Sequence, residues 1–251
     1  MKLIILAAGE GIRLRPYTNN KPKCMVEYNK KPIIDYILST ATNNKVNNVV
    51  IVTGYAEEVL QKHLHSYSLK FHSNPRYNTT NMLASLFCAE EDFNEDIIIS
   101  YADIIYKDEV LQQLIKSEAP FSVVVDKNWK ELWSIRMENP LADAETLKVN
   151  ADGNISELGK KAISYDEIEG QYIGLIKIKK EALDKIKMFY HALDKNLFYD
   201  GKNFDNMYMT SFIQLIIDKL MPVKPVFING GWMEIDSVED LKNYEKVSYQ
   251  I

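Results

Sequence analysis

Short apolar runs recur along this chain, and most are followed by a polar stretch with helical spacing. Residues 3–6 predict a buried strand. Residues 33–42 predict a helix, with Pro32 near its start, where its fixed φ and missing N–H are tolerated. The alternation continues through strand 49–53, helix 57–64, short strand 69–71, helix 81–90, strand 97–100, helix 110–116 and strand 121–125. Such alternation predicts parallel β-α units. The expected fold is α/β and Rossmann-like, with a mostly parallel sheet flanked by helices.

After Asp126 the pattern changes. Residues 145–150 and 155–158, joined by Ala151-Asp152-Gly153-Asn154, predict a hairpin. Residues 172–178 predict another strand, and helical spacing returns at 180–189, 205–219 and 238–244. Ser237 is a good N-cap for the last helix, with Glu239 and Asp240 in its first turn. No repeat or linker divides the chain. The expectation is a single domain over residues 1–251, with a small antiparallel insertion at 127–170.

Composition narrows the function. The 251 residues are 46% hydrophobic and 26% charged, with a net charge of −5. Acids and bases are mixed along the chain, so no basic surface for nucleic acid is expected. Two cysteines without metal-ligand spacing argue against a zinc site or a disulfide framework. No apolar stretch approaches the roughly 20 residues of a membrane span. The opening run is too short for a signal peptide. A cytoplasmic protein without membrane insertion is the expectation, and the oligomeric state stays open.

The most informative segment is Leu6-Ala7-Ala8-Gly9-Glu10-Gly11-Ile12-Arg13-Leu14-Arg15-Pro16, directly after the first predicted strand. Gly9 and Gly11 let the backbone approach a phosphate and present amide N–H groups to it. Arg13 adds a planar fork of donors suited to phosphate oxygens. Lys23, after the rigid Pro22, is placed to neutralise charge on a transferring phosphoryl group. The dinucleotide fingerprint is not completed, because Leu14 stands where its third glycine belongs. No Gly-Lys-Ser/Thr follows, so the Walker loop fails as well.

Leu6-Ala7-Ala8-Gly9-x-Gly11-x-Arg13-Leu14-x-Pro16-x-Thr18, followed by Pro22-Lys23, resembles the signature of the sugar-nucleotidyltransferase superfamily. That resemblance implies that Leu6, Ala7, Ala8, Gly9 and Gly11 wrap a triphosphate. It implies catalytic roles for Arg13 on the β- and γ-phosphates and for Lys23 on the α-phosphate. Sugar-activating members often begin this loop with two glycines. Ala7-Ala8 and Lys23-Cys24-Met25-Val26-Glu27 look more like the branch that activates phosphocholine and related compounds with CTP.

Two acids suit a magnesium ion. Asp103, after Ala102, lies just past the carboxyl end of a predicted strand, where open α/β sheets bind ligands. Asp236 precedes the last helix. Triphosphate chemistry needs Mg²⁺, which takes one or two carboxylates plus phosphate oxygens. The superfamily resemblance implies a metal-binding Asp at each place, with Glu234 a weaker third candidate and Ala102 beside the nucleotide.

Thr80 and Asn81 begin a helix and would cap it; the resemblance also sets such a segment beside the cytosine. Gly54-Tyr55 would add a further wall of the base pocket. The insertion mixes aromatic, acidic and basic residues: Trp129, Trp133, Arg136, Asp143 and Glu145, then Glu157, Lys160 and Lys161, then Glu169, Gln171 and Tyr172. Individually these suit core packing or a solvated surface. Together they suit a small zwitterionic acceptor. Trp129, Trp133, Arg136, Lys160, Glu169 and Tyr172 are the candidate acceptor contacts.

The expected activity is transfer of CMP from CTP to phosphocholine, 2-aminoethylphosphonate or an amino-acid phosphate, with release of pyrophosphate. Such products decorate cell-surface glycans, capsule polysaccharide among them. A sugar-1-phosphate nucleotidyltransferase would share the loop and the metal acids. A non-catalytic nucleotide-sensing module would not need Arg13, Lys23, Asp103 and Asp236 together.

Overall fold

Strand β1 (Lys2–Leu6) is buried along its whole length and divides its side chains between two cores. Leu3 and Ile5 enter the apolar cluster on one face, Ile4 and Leu6 the cluster on the other. This is the two-residue period of a strand covered on both sides. Each fully buried aliphatic side chain contributes about 1.5–3 kcal/mol relative to exposure.

The computed structural model describes residues 1–249. After β1 come the short pair β2 (Glu27–Tyr28) and β3 (Lys31–Pro32), then α1 (Ile33–Asn43), β4 (Asn48–Thr53), α2 (Glu57–His63) and β5 (Lys70–Ser73). Next are α3 (Met82–Phe87), β6 (Ile97–Tyr101), β7 (Ile104–Tyr106), α4 (Asp108–Lys116), β8 (Phe121–Asp126), α5 (Trp129–Arg136), β9 (Glu145–Val149) and β10 (Ile155–Lys161). The chain continues through β11 (Gln171–Ile178), α6 (Lys180–Ala192), the short pair β12 (Phe198–Tyr199) and β13 (Lys202–Asn203), and α7 (Met209–Lys219). It closes with β14 (Lys224–Ile228), β15 (Trp232–Glu234) and α8 (Val238–Lys246).

The central sheet has seven strands in the order β14-β8-β11-β6-β1-β4-β5. Every neighbouring pair is parallel except the two that β11 makes with β6 and β8. Buried residues of α1, α4, α5 and α8 cover the Leu3 face. Those of α3, α6, α7 and the β9–β10 hairpin cover the Ile4 face. The expected mostly parallel sheet between helical layers is therefore the observed fold. No helix among the described residues is long and apolar enough to cross a membrane.

Register decides what meets at the carboxyl edge. Leu6 is level with Tyr101 in the parallel β1–β6 pair, so the glycine loop and Asp103 emerge side by side. Because β11 runs the other way, its first residues, Gln171 and Tyr172, arrive at that same edge beside Asp126 and Val125.

Three features depart from the sequence expectation. Residues 127–170 are not purely antiparallel, since they open with α5. The strands β14 and β15 lie in a stretch with no expected element, and Pro225 sits in β14, an edge strand, where a missing N–H is tolerated. The predicted helix 205–219 begins as a single turn at Phe204–Asn206 and becomes α-helical only from Met209. Ser237 does cap α8, in a reciprocal capping box with Asp240.

Candidate active site

The loop after β1 is fixed from below. Ala7 donates its amide to Val52 and Ala8 accepts from the amide of Tyr55, at 2.8 and 3.1 Å. A Cβ on Gly54 would lie 2.7 Å from Cβ of Tyr77 and 2.8 Å from the Ala8 carbonyl, so only glycine lets these segments close up. Gly11 has φ +65°, and a Cβ there would come within 2.9 Å of Cβ of Lys23. The second loop glycine thus makes room for the lysine. Nothing lies within 4 Å of a Cβ built on Gly9, which faces an open cavity of about 490 Å³.

Lys23 reaches across that cavity. Its ammonium donates to Asp103 Oδ2 at 2.6 Å and to Asp236 Oδ1 at 2.5 Å. Arg13, largely exposed, also pairs with Asp236. Carboxylate oxygens of Asp103, Glu234 and Asp236 lie within 4.8 Å of one another, and Asp103 Oδ1 is buried without a hydrogen-bond partner. Burial opposes the charge on Lys23, but Asp103, Asp236 and Glu234 outweigh it and hold its pKa above the ordinary lysine value. Burial pushes the Glu234 carboxyl up to about 7, with Arg136 opposing and the two aspartates adding to the rise. Burial also opposes ionisation of Asp236, yet Lys23 and Arg13 bring its pKa below the usual range.

A second cavity of about 230 Å³ abuts the first. Arg13, Met82, Tyr101, Glu234 and Asp236 line both, so the two chambers meet at the carboxylates. Tyr101 stands between them because Gly174, at φ +86°, has no side chain; a Cβ there would lie 2.5 Å from the Tyr101 ring. Tyr172 meets Tyr101 edge-on at 5.9 Å. Glu145 lines the second chamber, and burial, then Asp143, pushes its carboxyl up to about 7. The indole N–H of Trp133 and the hydroxyl of Tyr172 are buried and have no hydrogen-bond partner.

Leu6, Ala7, Gly9, Gly11, Arg13, Lys23, Ala102, Asp103 and Asp236 all line the first cavity, together with Glu234. Trp133 and Tyr172 line the second. The other candidates lie elsewhere, each for a visible reason. Ala8, Gly54 and Tyr55 support the loop from behind, and the Tyr55 hydroxyl donates to the carbonyls of Thr18 and Asn19. Thr80 spends its hydroxyl on Arg76 and Asn74. Asn81 caps α3 through the amide of Met82. Tyr77 and Asn78, a few residues earlier, line the cavity instead.

The acceptor candidates need further correction. Trp129 is buried in the core beneath α5. The Arg136 guanidinium is committed to Glu234 at 2.5 Å and Asp240 at 3.1 Å, so it steadies a carboxylate of the site and has no fork left for a phosphate. Lys160 is exposed and paired with Glu157. Glu169 accepts from the amide of Val149 on the hairpin. Beyond the candidate set, Tyr101 and Tyr208 also line the second chamber, and Tyr101 was signalled only by standing two residues before Asp103.

Two adjoining chambers, a glycine loop, a lysine and clustered acids at the carboxyl edge of a parallel sheet define a nucleotidyltransferase. Residues 3–162 match the MobA-like NTP transferase domain, and the chain belongs to that family. It is 48% identical over 249 residues to the CTP:phosphoglutamine cytidylyltransferase of Campylobacter jejuni, covering 96% of this chain and 98% of that protein. The solved CTP:phosphocholine cytidylyltransferase of Streptococcus pneumoniae superposes with a TM-score of 0.71 at 21% identity, over 99% of both chains. The inositol-1-phosphate CTP transferase of T. maritima does so with a TM-score of 0.73 at 21% identity, over 100% of this chain and 97% of that one. These two structural likenesses speak for the fold.

Proposed function

We propose that this enzyme transfers CMP from CTP to a small phosphorylated acceptor carrying a positive nitrogen, of the phosphoglutamine type, and releases pyrophosphate. The observation that carries the reading is the meeting of two chambers at Asp103, Glu234 and Asp236, with Lys23 between the acids. Extensive identity with a phosphoglutamine cytidylyltransferase supports both the nucleotide and the acceptor class.

The glycine loop and Arg13 would hold the triphosphate. The acceptor's phosphate oxygen attacks the α-phosphorus from the second chamber, a new P–O bond forms, and the bond to the bridging β-oxygen breaks. The acceptor is already a competent nucleophile, so no general base or covalent intermediate is required. The chain's contribution is alignment and positive charge from Lys23 and Arg13. Asp103 and Asp236, with Glu234 beside them, are suited to hold Mg²⁺. The fit rests on clustered hard oxygen donors and the unpartnered Oδ1 of Asp103. Bound Mg²⁺ would shield the phosphate charges. A supply of CTP and release of a CMP-activated head group for surface-glycan assembly are consistent with work in the cytoplasm.

The test is pyrophosphate release with CTP, UTP, ATP, GTP and dTTP, each against phosphoglutamine, 2-aminoethylphosphonate, phosphocholine and glucose 1-phosphate. CTP with an amine-bearing acceptor is expected to give the highest kcat/KM. A higher value for UTP or dTTP with glucose 1-phosphate would establish the sugar-nucleotide reading instead.

A further inference from the structure

The wall of the second chamber is acidic. Among the described residues, Arg13 is its one basic side chain, and it lies on the border with the nucleotide chamber. Asp143 and Glu145 line the same chamber. Glu145 is held rigidly: its amide donates to Gln171 Oε1 at 3.1 Å, and Gln171 Nε2 donates back to its carbonyl. No described protein group pairs with its carboxylate by hydrogen bond or ion pair. A largely buried carboxylate without a protein counter-charge, fixed on a strand, is suited to a cationic group of a ligand.

Two more groups in that wall lack partners, the Trp133 indole N–H and the Tyr172 hydroxyl, both buried. Burial raises the Tyr172 phenol pKa, the neighbouring Tyr101 hydroxyl opposes that rise, and the Glu145 carboxylate adds to it. Buried donors left unmade are costly, so these call for an acceptor atom on the ligand. A trimethylammonium head group could neutralise Glu145 but offers no acceptor atom, and would leave the indole N–H and the phenol O–H unsatisfied.

We propose that Glu145, Trp133 and Tyr172 are the residues that select the acceptor, and that they read an amino-acid head group. The Glu145 carboxylate takes the ammonium, while the indole N–H and the phenol O–H take the neighbouring carboxylate. The phosphate at the other end then points toward Arg13 and the shared acids. This assignment rests on the transfer reaction proposed above.

The experiment measures kcat and KM with CTP saturating, first for phosphoglutamine, 2-aminoethylphosphonate and phosphocholine. The expected order of kcat/KM is amino-acid phosphate, then the amine without a carboxylate, then the quaternary amine. Glu145→Gln should raise the KM for phosphoglutamine by about 10–100-fold, because a charged hydrogen bond is lost. Tyr172→Phe keeps its ring, and Trp133→Phe keeps an aromatic ring of smaller size; each should raise that KM by roughly 3–10-fold, chiefly from the loss of one donor. The KM for CTP should move much less.

A second comparison separates contact from structural damage. Replacing 2-aminoethylphosphonate by 2-hydroxyethylphosphonate should cost wild type at least tenfold, and that penalty should vanish in Glu145→Gln. Should wild type turn over while the penalty persists in Glu145→Gln, or while all three variants keep the wild-type acceptor KM, the assignment falls and the transferase reading stands. Absence of pyrophosphate release by wild type with every acceptor would remove both.

Discussion

The amide of Ile235 donates to the carbonyl of Asp103 at 2.9 Å. This bond extends the antiparallel pairing of β15 with β7 by one step beyond Glu234 and Ile104. It brings two segments far apart in sequence into register, so that Asp103, Glu234 and Asp236 converge. The incoming strand is itself anchored by Asp126, whose carboxylate accepts from the amide of Gly230 and the indole of Trp232, both at 2.8 Å. Asp126 works as a buried staple at the end of β8, well suited to set where Glu234 and Asp236 arrive.

Lys23 is the group through which the acids and the nucleotide should communicate. Lys23→Ala is expected to lower kcat by about 10²–10³, the scale of losing one donor to a developing charge. Steady-state pyrophosphate release measures this, with circular dichroism confirming that the fold persists. Turnover within a few-fold of wild type would mean that Lys23 only neutralises Asp103 and Asp236.

Metal dependence can be read on those two acids separately. EDTA should abolish wild-type turnover, and excess Mg²⁺ should restore it. Asp103→Asn and Asp236→Asn should each shift the Mg²⁺ activation curve to much higher concentration. Activity that survives EDTA would remove the proposed metal role from both residues.

Much of the first chamber was legible because its information is local. The glycines, Arg13 and Lys23 lie within one short segment, and Asp103 follows a plainly apolar strand. The second chamber was harder. Trp129, Leu132, Trp133 and Arg136 follow the i, i+3, i+4, i+7 spacing of a buried helix face, and all four are buried on α5. Arg136 disguised that stripe, since its partners Glu234 and Asp240 come from the distant end of the chain. Thr80 and Asn81 have the chemistry of base readers, yet helix capping and turn closure consume their polar atoms. Glu145 carries no local sign of burial; that follows from tertiary packing.

Gly54 offers a test of how the loop is supported. In Gly54→Ala the new methyl would collide with Tyr77 and Ala8, both backed by packed structure. Overpacking of this kind costs about 1–3 kcal/mol. For a chain of this size that lowers Tm by roughly 2–12 °C. Thermal unfolding followed by circular dichroism checks the shift, and the KM for CTP should rise with it because the loop is displaced. An unchanged Tm together with an unchanged KM would show that the loop yields freely.

A share of the acid stability should come from a cluster away from the active site. Lys2, almost fully buried at the start of β1, donates to Asp92 Oδ1 at 2.8 Å. Lys70 and His72 reach the other carboxylate oxygen at 2.8 and 2.6 Å. Burial opposes ionisation of Asp92, but hydrogen bonds from Lys2, Lys70 and His72 outweigh it and bring its pKa well below the ordinary value of 3.8. A carboxyl whose pKa is lower in the folded state stabilises that state above its unfolded pKa. That contribution declines as pH falls through about 4 and is lost below the folded value. Urea unfolding midpoints should therefore fall steeply below about pH 4. In Asp92→Asn this share of the acid dependence should disappear. The variant should also be less stable at neutral pH by about 3–5 kcal/mol, because the buried Lys2 ammonium loses its counter-charge. A double variant, Lys2→Met with Asp92→Asn, removes both charges and should recover much of that loss. If the single and double variants were equally unstable, the penalty would come from packing around Asp92 and not from an uncompensated Lys2.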